Sequence, residues 1–203
     1  MVSAFKVESH LNNFMPTGAS ESYPYIIEFA RELVPQPRRV LDVGVGFGSL
    51  GFFVRNYFEA KEHFRFTKRE WKIKLIGIEI HRSYIQSLQK QIYDSIVIGD
   101  VFDVAEKLGT FDLIFLGDII EHFSKRQAHR LLSLLLRHAK VVIIATPLGF
   151  KKQGVVGRNV HEAHKSGWLL KDFKQYDIAK KAVVPRIRKN EKVLVVALRG
   201  AIQ

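Results

Sequence analysis

The sequence predicts a single α/β domain in which a mostly parallel sheet lies between helices. Short apolar runs alternate with helical patterns along most of the 203 residues, which is typical of parallel strands joined by helices. The chain has no internal repeat and no low-complexity linker, and its length suits one hydrophobic core. Two β-like runs on either side of Lys189-Asn190 predict an antiparallel hairpin.

The first predicted elements are a helix, a strand and a second helix. Residues 22–34 (SYPYIIEFARELV) look helical, because Ser22 lies near the N-cap and Pro24 falls in the first turn. The run RVLDV predicts a strand at 39–43, and a helix is expected from about residue 49 to residue 58.

The middle of the chain repeats this alternation. KLIGIEI predicts a second strand at 74–80, and HRSYIQSLQKQIY has helical spacing over 81–93. IVIGD at 96–100 and FDLIFLGD at 111–118 predict two further short strands.

A leucine-rich helix and a strand precede the hairpin. The helix covers 124–138 and is opened by Ser124, and KVVIIATP predicts the strand at 140–147. The hairpin lies within AVVPRIRKNEKVLVVALRG, where Pro185 suits an edge strand because proline cannot donate a hydrogen bond to a neighbouring strand.

The composition limits the classes of function. The net charge of +12 would attract anions such as nucleic acid, although a solvated Lys/Arg surface also accounts for it. The chain has no cysteine, which excludes disulfides, thiolate metal sites and a cysteine nucleophile. No apolar run is long enough to span a membrane, and the first residues lack the apolar stretch of a signal peptide. We therefore expect a cytoplasmic protein without a membrane partner.

The segment VLDVGVGFGSLG at 40–51 predicts a ligand-binding turn. A strand leads into four glycines and then a helix, so backbone N–H groups can approach a ligand closely. Gly46 to Gly51 match the GxGxxG pattern of dinucleotide-binding proteins, but the pattern alone is weak evidence. A nucleoside with a carboxylate tail, such as S-adenosylmethionine, uses the same kind of turn.

Acidic residues at the strand ends argue against a dinucleotide. Asp42 precedes the glycines, where a carboxylate would repel a pyrophosphate. Glu79 lies 28 residues after Gly51, whereas the dinucleotide pattern places an acid about 20 residues on. Asp100 and Asp118 end two later strands, at the edge where open α/β sheets bind ligands. Such carboxylates suit ribose hydroxyls, an amine and a cationic group.

These motifs, in this order over residues 38–147, resemble the class I S-adenosylmethionine-dependent methyltransferases of the small-molecule type. VLDVGVGFG is similar to the first motif of the family, LIGIEI to the ribose-binding strand, IVIGDVFD to the adenine-binding segment and FDLIFLGDIIEHF to the fourth-strand motif. The resemblance implies that S-adenosyl-L-methionine is the cofactor. It implies cofactor contacts at Asp42, Gly44, Gly46, Gly48, Glu79, Ile80, Asp100, Val101 and Asp118.

The resemblance also implies the architecture. It predicts a Rossmann-like three-layer sandwich with a mostly parallel seven-stranded sheet and an antiparallel C-terminal hairpin. Residues 1–203 would form one methyltransferase domain, with an N-terminal helical cap at 1–36 and a substrate-covering segment at 149–175. Tyr23 and Tyr25 could reach the cofactor from that cap, although packing at the start of a helix explains them equally well.

Three histidines are candidates for catalysis. His122 follows the fourth strand at the ligand edge and could take a proton from a hydroxyl or amine acceptor, or it could simply pack the next helix. His161 and His164 lie in the long polar segment after the fifth strand, where they could instead bond backbone groups. HEAH is not the zinc-binding HExxH pattern, so we expect no metal.

The acceptor is predicted only as a class. The segment GDIIEH stands where DNA amino-methyltransferases carry an NPPY-like motif, which argues against methylation of a base. We therefore favour a small-molecule or saccharide hydroxyl or amine. RNA methylation, an NAD(P)-dependent oxidoreductase and a non-catalytic cofactor-binding protein are the alternatives, and the oligomeric state stays open.

Overall fold

A computed structural model describes residues 18–156, 159–187 and 191–202, which form one seven-stranded sheet covered by helices on both faces. The strand order is β3-β2-β1-β4-β5-β7-β6. The strands are β1 (Arg39–Val43), β2 (Lys74–Glu79), β3 (Ser95–Ile98), β4 (Phe111–Gly117), β5 (Ala139–Pro147), β6 (Ile178–Pro185) and β7 (Lys192–Arg199).

The helices occupy the connections between the strands. The α-helices are α1 (Tyr23–Leu33), α2 (Ser49–Val54), α3 (Ser87–Ile92), α4 (Val101–Val104) and α5 (Lys125–Arg137). α2 continues as a π-helical segment at Arg55–Lys61. The capping box of Ser124 and Gln127 opens α5, as Ser124 predicted, because both side chains bond backbone or side-chain groups across the first turn.

The pairing of the strands confirms the predicted mixed sheet. β1 to β5 pair in parallel, whereas β7 is antiparallel to both β5 and β6. β6 is the edge strand and ends at Pro185, so the missing N–H of proline falls where it disturbs the sheet least. The Lys189-Asn190 turn lies outside the described residues.

Alternate strand residues point to opposite faces of the sheet and create two hydrophobic cores. On one face Val40 and Leu113 pack with α1 and α2, and on the other Leu41 and Ile114 pack with the leucines of α5. This arrangement is the predicted three-layer sandwich. Of the predicted cap at 1–36, α1 covers one face of the sheet, and residues 1–17 lie outside the described part of the chain.

The predicted helix at 81–93 is interrupted. A 3-10 turn at Arg82–Tyr84 is followed by an extended residue, Ile85, before α3 begins. Gln86 and Gln89 form a capping box at the start of α3, and these side-chain bonds replace the backbone bonds of a continuous helix.

The basic segment between α2 and β2 is organised by the buried side chains of Arg55 and Glu59. The Arg55 guanidinium is 2.9 Å from Asp94 and donates to the carbonyls of Ile73 and Ile92. The fully buried Glu59 carboxylate accepts from the Lys72 and Ile73 amides at 2.7 Å. Part of the predicted cationic surface is therefore structural. None of the helices in the described residues combines the length and the apolar character that crossing a bilayer requires.

Candidate active site

The carboxyl ends of β1, β2, β3 and β4 surround a pocket of about 330 Å³. Val43 is in register with Ile78 of β2 and with Leu116 of β4, so the residues that follow these strands meet at one edge of the sheet. This is the edge at which open α/β sheets bind ligands, and the volume lies within the range of small-molecule sites.

The glycine turn after β1 contains three residues with positive φ, Gly44, Gly46 and Gly48. Gly44 has φ +80°, and a Cβ atom there would lie 2.0 Å from Cδ1 of Ile119. Gly48 has φ +88° and immediately precedes α2. Gly44 and Gly48 therefore both require glycine. The turn faces the pocket with backbone atoms and not with side chains.

Glu79 ends β2 and is fixed by two backbone amides. Gly46 N donates to Oε2 at 3.0 Å, and His81 N donates to Oε1 at 2.8 Å. Only 4% of the residue is exposed, and this burial raises the pKa of the carboxyl group above its usual value. Each carboxylate oxygen keeps a further lone pair with which it can accept a ligand hydroxyl.

Asp42 lies beneath the glycine turn and shares a short hydrogen bond with Tyr93. The Tyr93 hydroxyl donates to Asp42 Oδ2, and it accepts from the Gly51 amide at 3.2 Å. Asp42 Oδ1 is buried and has no hydrogen-bond partner among the described residues. Burial raises the pKa of Asp42 to about 7. A ligand atom that donates a hydrogen bond or carries positive charge would satisfy this orphaned oxygen.

Three of the predicted cofactor residues follow β2 and β3. Asp100 caps α4, since its Oδ1 accepts from Phe102 N at 2.9 Å. Val101 is buried, whereas Ile80 is 38% exposed. All three line the pocket beside Glu79 and therefore offer one polar and two apolar contacts to a planar group.

Asp118 and Glu121 follow β4 and bring a half-buried and a buried carboxyl group together. Asp118 adopts φ +53°, a conformation rare outside glycine, and its Oδ2 accepts from Ala19 N at 2.8 Å. Glu121 Oε2 accepts from the Thr146 hydroxyl at 3.0 Å, whereas Oε1 has no partner among the described residues. Burial raises the pKa of both carboxyl groups, and Asp118 raises that of Glu121 further.

Two of the three candidate histidines form a pair. The rings of His122 and His164 have their centroids 5.0 Å apart, although 42 residues separate them in the chain. Burial and the neighbouring His164 lower the pKa of His122 to about 4, so its ring is neutral and weakly basic at pH 7. His161 lines the same pocket but does not belong to this pair.

The segment after β5 closes over this edge. Its two ends are joined at Gly149 and Trp168, where Gly149 N donates to Trp168 O at 2.7 Å, and the Trp168 side chain is fully buried. Across the pocket, the Tyr84 hydroxyl donates to Glu162 at 3.1 Å and accepts from Asn159 at 3.0 Å. These bonds connect the segment to the residues that follow Glu79.

The structure brings most of the predicted site residues to one pocket. Gly48 does not line it, because its contribution is to the turn before α2. Tyr23 lines the pocket, whereas the 37% exposed Tyr25 does not. The predicted residues that do line it are Asp42, Gly44, Gly46, Glu79, Ile80, Asp100, Val101, Asp118, His122, His161 and His164.

Other residues of the site were not predicted. Tyr93 and Gln89 support the glycine turn from below, and the Gln89 amide donates to the Gly46 carbonyl at 2.8 Å. Lys151 and Arg186 line the pocket and both contact Glu191, at 2.9 and 3.5 Å. No motif in the sequence identifies these four residues, and Tyr93, Gln89 and Lys151 act through partners far away in the chain.

Comparison with known proteins gives similarity of structure without similarity of sequence. No protein-family model matches the chain. No curated protein matches it significantly either.

Solved methyltransferases share the fold. The N-terminal domain of EvdMO1 with SAH bound has a TM-score of 0.59 and 14% identity, over 90% of this chain and 82% of that one. The magnesium protoporphyrin IX methyltransferase ChlM from Synechocystis PCC 6803 with bound SAM has a TM-score of 0.57 and 15% identity, over 89% and 80%. The N-methyltransferase NodS from Bradyrhizobium japonicum WM9 has a TM-score of 0.59 and 12% identity, over 89% and 94%. The chain therefore has the fold of the class I S-adenosylmethionine-dependent methyltransferases.

Proposed function

We propose that the protein is an S-adenosylmethionine-dependent methyltransferase whose acceptor is a hydroxyl or amine of a small molecule or saccharide. The observation that carries this proposal is the coupling of Gly46 and Glu79 at the carboxyl edge of the sheet. Glu79 would bind the ribose, and its carboxylate is held by the Gly46 amide. Gly46 belongs to the glycine turn, which would contact the rest of the cofactor.

The charge of the pocket favours this cofactor over a dinucleotide. Among the described residues, six carboxyl groups line the pocket against three Lys or Arg side chains, and two of those three contact Glu191. S-adenosylmethionine carries a sulfonium and an ammonium group, whereas a dinucleotide brings a pyrophosphate. The orphaned Asp42 Oδ1 in particular suits a cationic or donating partner.

The residues divide into two groups in this proposal. Glu79 would accept bonds from the ribose hydroxyls, and Asp100 with Val101 and Ile80 would hold the adenine. Asp42, Asp118 and the turn at Gly44 and Gly46 would hold the amino-acid part. These assignments follow from the family resemblance and from the position of each residue around the pocket.

Methyl transfer also requires the acceptor to be aligned and to lose a proton. The cofactor supplies an electrophilic methyl group on sulfur. The protein excludes water with the 149–175 segment and orients the acceptor atom beside the histidines. Because His122 is weakly basic, His161 or His164 takes the proton of the acceptor in this proposal.

The NodS and EvdMO1 comparisons fit the acceptor class only loosely. NodS is named an N-methyltransferase, and EvdMO1 was also crystallised in the presence of D-fucose. A sugar or amine acceptor for the present chain is consistent with these names, and the pocket volume of about 330 Å³ suits a small molecule.

Calorimetric titration with S-adenosylmethionine, S-adenosylhomocysteine and NADH tests the proposal. We expect micromolar binding of both adenosyl ligands and no binding of NADH. Binding of NADH alone, or of none of the three ligands, would refute it. Acceptor binding that weakens steeply with added salt would instead indicate a nucleic-acid acceptor.

A further inference from the structure

Three side chains of the types that bind metal ions lie close together in the pocket, beside the predicted cofactor residues. The carboxylate of Glu121 and the imidazoles of His122 and His164 offer ligand atoms that all lie within 4.8 Å of one another. Glu121 is 2% exposed and the two histidines are half-buried. His161, the third histidine of the pocket, does not belong to this group.

Backbone hydrogen bonds hold the three residues together. Glu121 and His122 share the 3-10 turn after β4, whereas His164 comes from the segment after β5. The amides of Lys165 and Ser166 donate to the Glu121 carbonyl at 2.7 and 3.1 Å. The segment therefore contacts the turn through the two residues that follow His164 in the chain. Backbone hydrogen bonds bring His122 and His164 together, and the histidine side chains are not needed for this contact.

The hydrogen bonds of both imidazoles leave a ligand atom available on each ring. His164 Nδ1 is 2.7 Å from the Lys151 carbonyl, and His122 Nδ1 is 3.4 Å from the Ala163 carbonyl. A carbonyl can only accept, so in the neutral form of either ring these contacts place the proton on Nδ1 and the lone pair on Nε2. Metal-binding histidines in proteins usually have their second nitrogen bonded in this way.

The carboxylate of Glu121 is incompletely satisfied. Oε2 accepts from Thr146, but the buried Oε1 receives no hydrogen bond from a donor among the described residues, and the group that interacts with the carboxylate is the carboxyl of Asp118. Two carboxylates side by side, one buried and one half-buried, repel each other unless a proton or a cation lies between them. A cation bound at Oε1 would remove this repulsion and satisfy the orphaned oxygen.

We propose that Glu121, His122 and His164 bind one divalent transition-metal ion, with the Asp118 carboxyl next to it, and that the open positions of the ion bind an oxygen of the methyl acceptor. Two histidines and a carboxylate suit Zn²⁺, Mn²⁺ or Co²⁺ better than Mg²⁺, which prefers oxygen ligands. With bonds of about 2.0–2.2 Å, the ligand atoms of a tetrahedral ion lie about 3.3–3.6 Å apart, so atoms at the 4.8 Å limit need to move together by about 1 Å.

The use of the site by the acceptor rests on the proposed function, whereas the ion itself can be measured separately. In this arrangement His122 and His164 orient the acceptor through the ion, and His161 is left to take the acceptor proton. The further prediction is that the acceptor presents an oxygen rather than only a nitrogen to the ion.

The test is a titration of chelator-treated full-length protein with Zn²⁺, Mn²⁺, Co²⁺ and Mg²⁺. We expect one ion per chain, tighter binding of the first three than of Mg²⁺, and a visible absorption spectrum of bound Co²⁺ that indicates nitrogen ligands. Glu121→Gln and His164→Ala should each weaken Mn²⁺ binding by about tenfold or more, because each removes a ligand. His161→Ala is the matched control and should leave the metal affinity unchanged.

Several results would overturn the assignment. These are the absence of binding, equal affinity in His164→Ala and the unaltered protein, or a larger loss in His161→Ala than in His164→Ala. If Glu121→Gln fails to fold by circular dichroism, His164→Ala and His164→Gln decide the question, since His164 lies outside both hydrophobic cores. Binding of S-adenosylhomocysteine in the presence of the chelator is measured in parallel. If S-adenosylhomocysteine binds but no metal ion does, only the proposed metal site is refuted. If S-adenosylhomocysteine does not bind, the proposed function is refuted.

Discussion

The backbone amide of Gly46 lies 3.0 Å from Oε2 of Glu79, so the glycine turn after β1 and the acid at the end of β2 form one unit. Gln89 adds a third contact to this unit, because its side-chain amide donates to the Gly46 carbonyl. A substitution at either Gly46 or Glu79 is therefore expected to change both the conformation of the turn and the position of the carboxylate at the end of β2.

Glu79→Ala should weaken the binding of S-adenosylhomocysteine by about 1–3 kcal/mol, because it removes charge-assisted hydrogen bonds to the ribose. It also leaves the amides of Gly46 and His81 without their acceptor, so the melting temperature should fall as well. Calorimetry and thermal melting measure the two effects separately. Glu106→Gln, on the surface beside Arg137, is the control and should change neither. Unchanged affinity in Glu79→Ala would refute the ribose assignment.

Gly46→Arg should abolish binding of S-adenosylhomocysteine, because a side chain would fill the space of the ligand and φ is +48° at this position. Gly109→Arg is the matched control. Gly109 also has positive φ, but a Cβ atom there meets nothing within 4 Å. The control should therefore lose some stability and keep its affinity. If the two variants bind equally well, the glycine turn does not contact the ligand.

Asp42 should make the free energy of unfolding depend on pH. Its pKa is about 7 in the folded protein, whereas the ordinary pKa of an aspartate is 3.8, so between these values the folded state binds one more proton than the unfolded state. Stability from this group is fully present below about pH 4 and is lost as the pH rises towards 7.

Asp42→Asn isolates this contribution. Buried groups that do not interact with Asp42 titrate alike in both proteins, so their contributions cancel in the difference between the two stability curves. As the pH rises from 4 to 7, the free energy of unfolding of the variant should increase relative to that of the unaltered protein by on the order of a few kcal/mol. Urea unfolding at several pH values measures the difference, and parallel curves would show that Asp42 does not carry the raised pKa.

Tyr84→Phe should loosen the segment after β5 without unfolding the domain. The hydroxyl links Asn159 and Glu162 to the loop after β2, and its loss removes one hydrogen bond from each of these side chains. Hydrogen exchange of the amides at 159–165 should become faster, whereas exchange in the sheet should not change. Tyr25→Phe, on the exposed side of α1, is the control. Equal exchange in all three proteins would mean that other contacts hold the segment.

The sequence predicted the sheet and its ligand edge well, for a physical reason. Buried parallel strands are continuous apolar runs, and the acids that end them stand out against those runs, as Glu79 and Asp118 do. The glycines between β1 and α2 likewise have a local cause, the positive φ values at Gly44 and Gly48. Features that depend on local conformation and burial can be recognised within a few residues.

What the sequence did not predict depends on contacts between distant residues. The predicted helix at 81–93 is interrupted at Gln86, because the side chains of Gln86 and Gln89 form a capping box there. The buried Gln89 side chain also donates to the Gly46 carbonyl. The pairing of His122 with His164 results from the docking of the later segment on the Glu121 carbonyl. Helical spacing and polarity contain no information about either contact.

The position of β7 between β5 and β6 has a consequence for how the protein is made. The side chains from Val193 to Leu198 are all fully buried, and they fill both cores. While the ribosome has synthesised only the residues before β7, the edge of β5 remains unpaired and apolar. Nascent chains of this length should therefore be bound by chaperones or aggregate, and the native sheet can form only after residue 199 has been added.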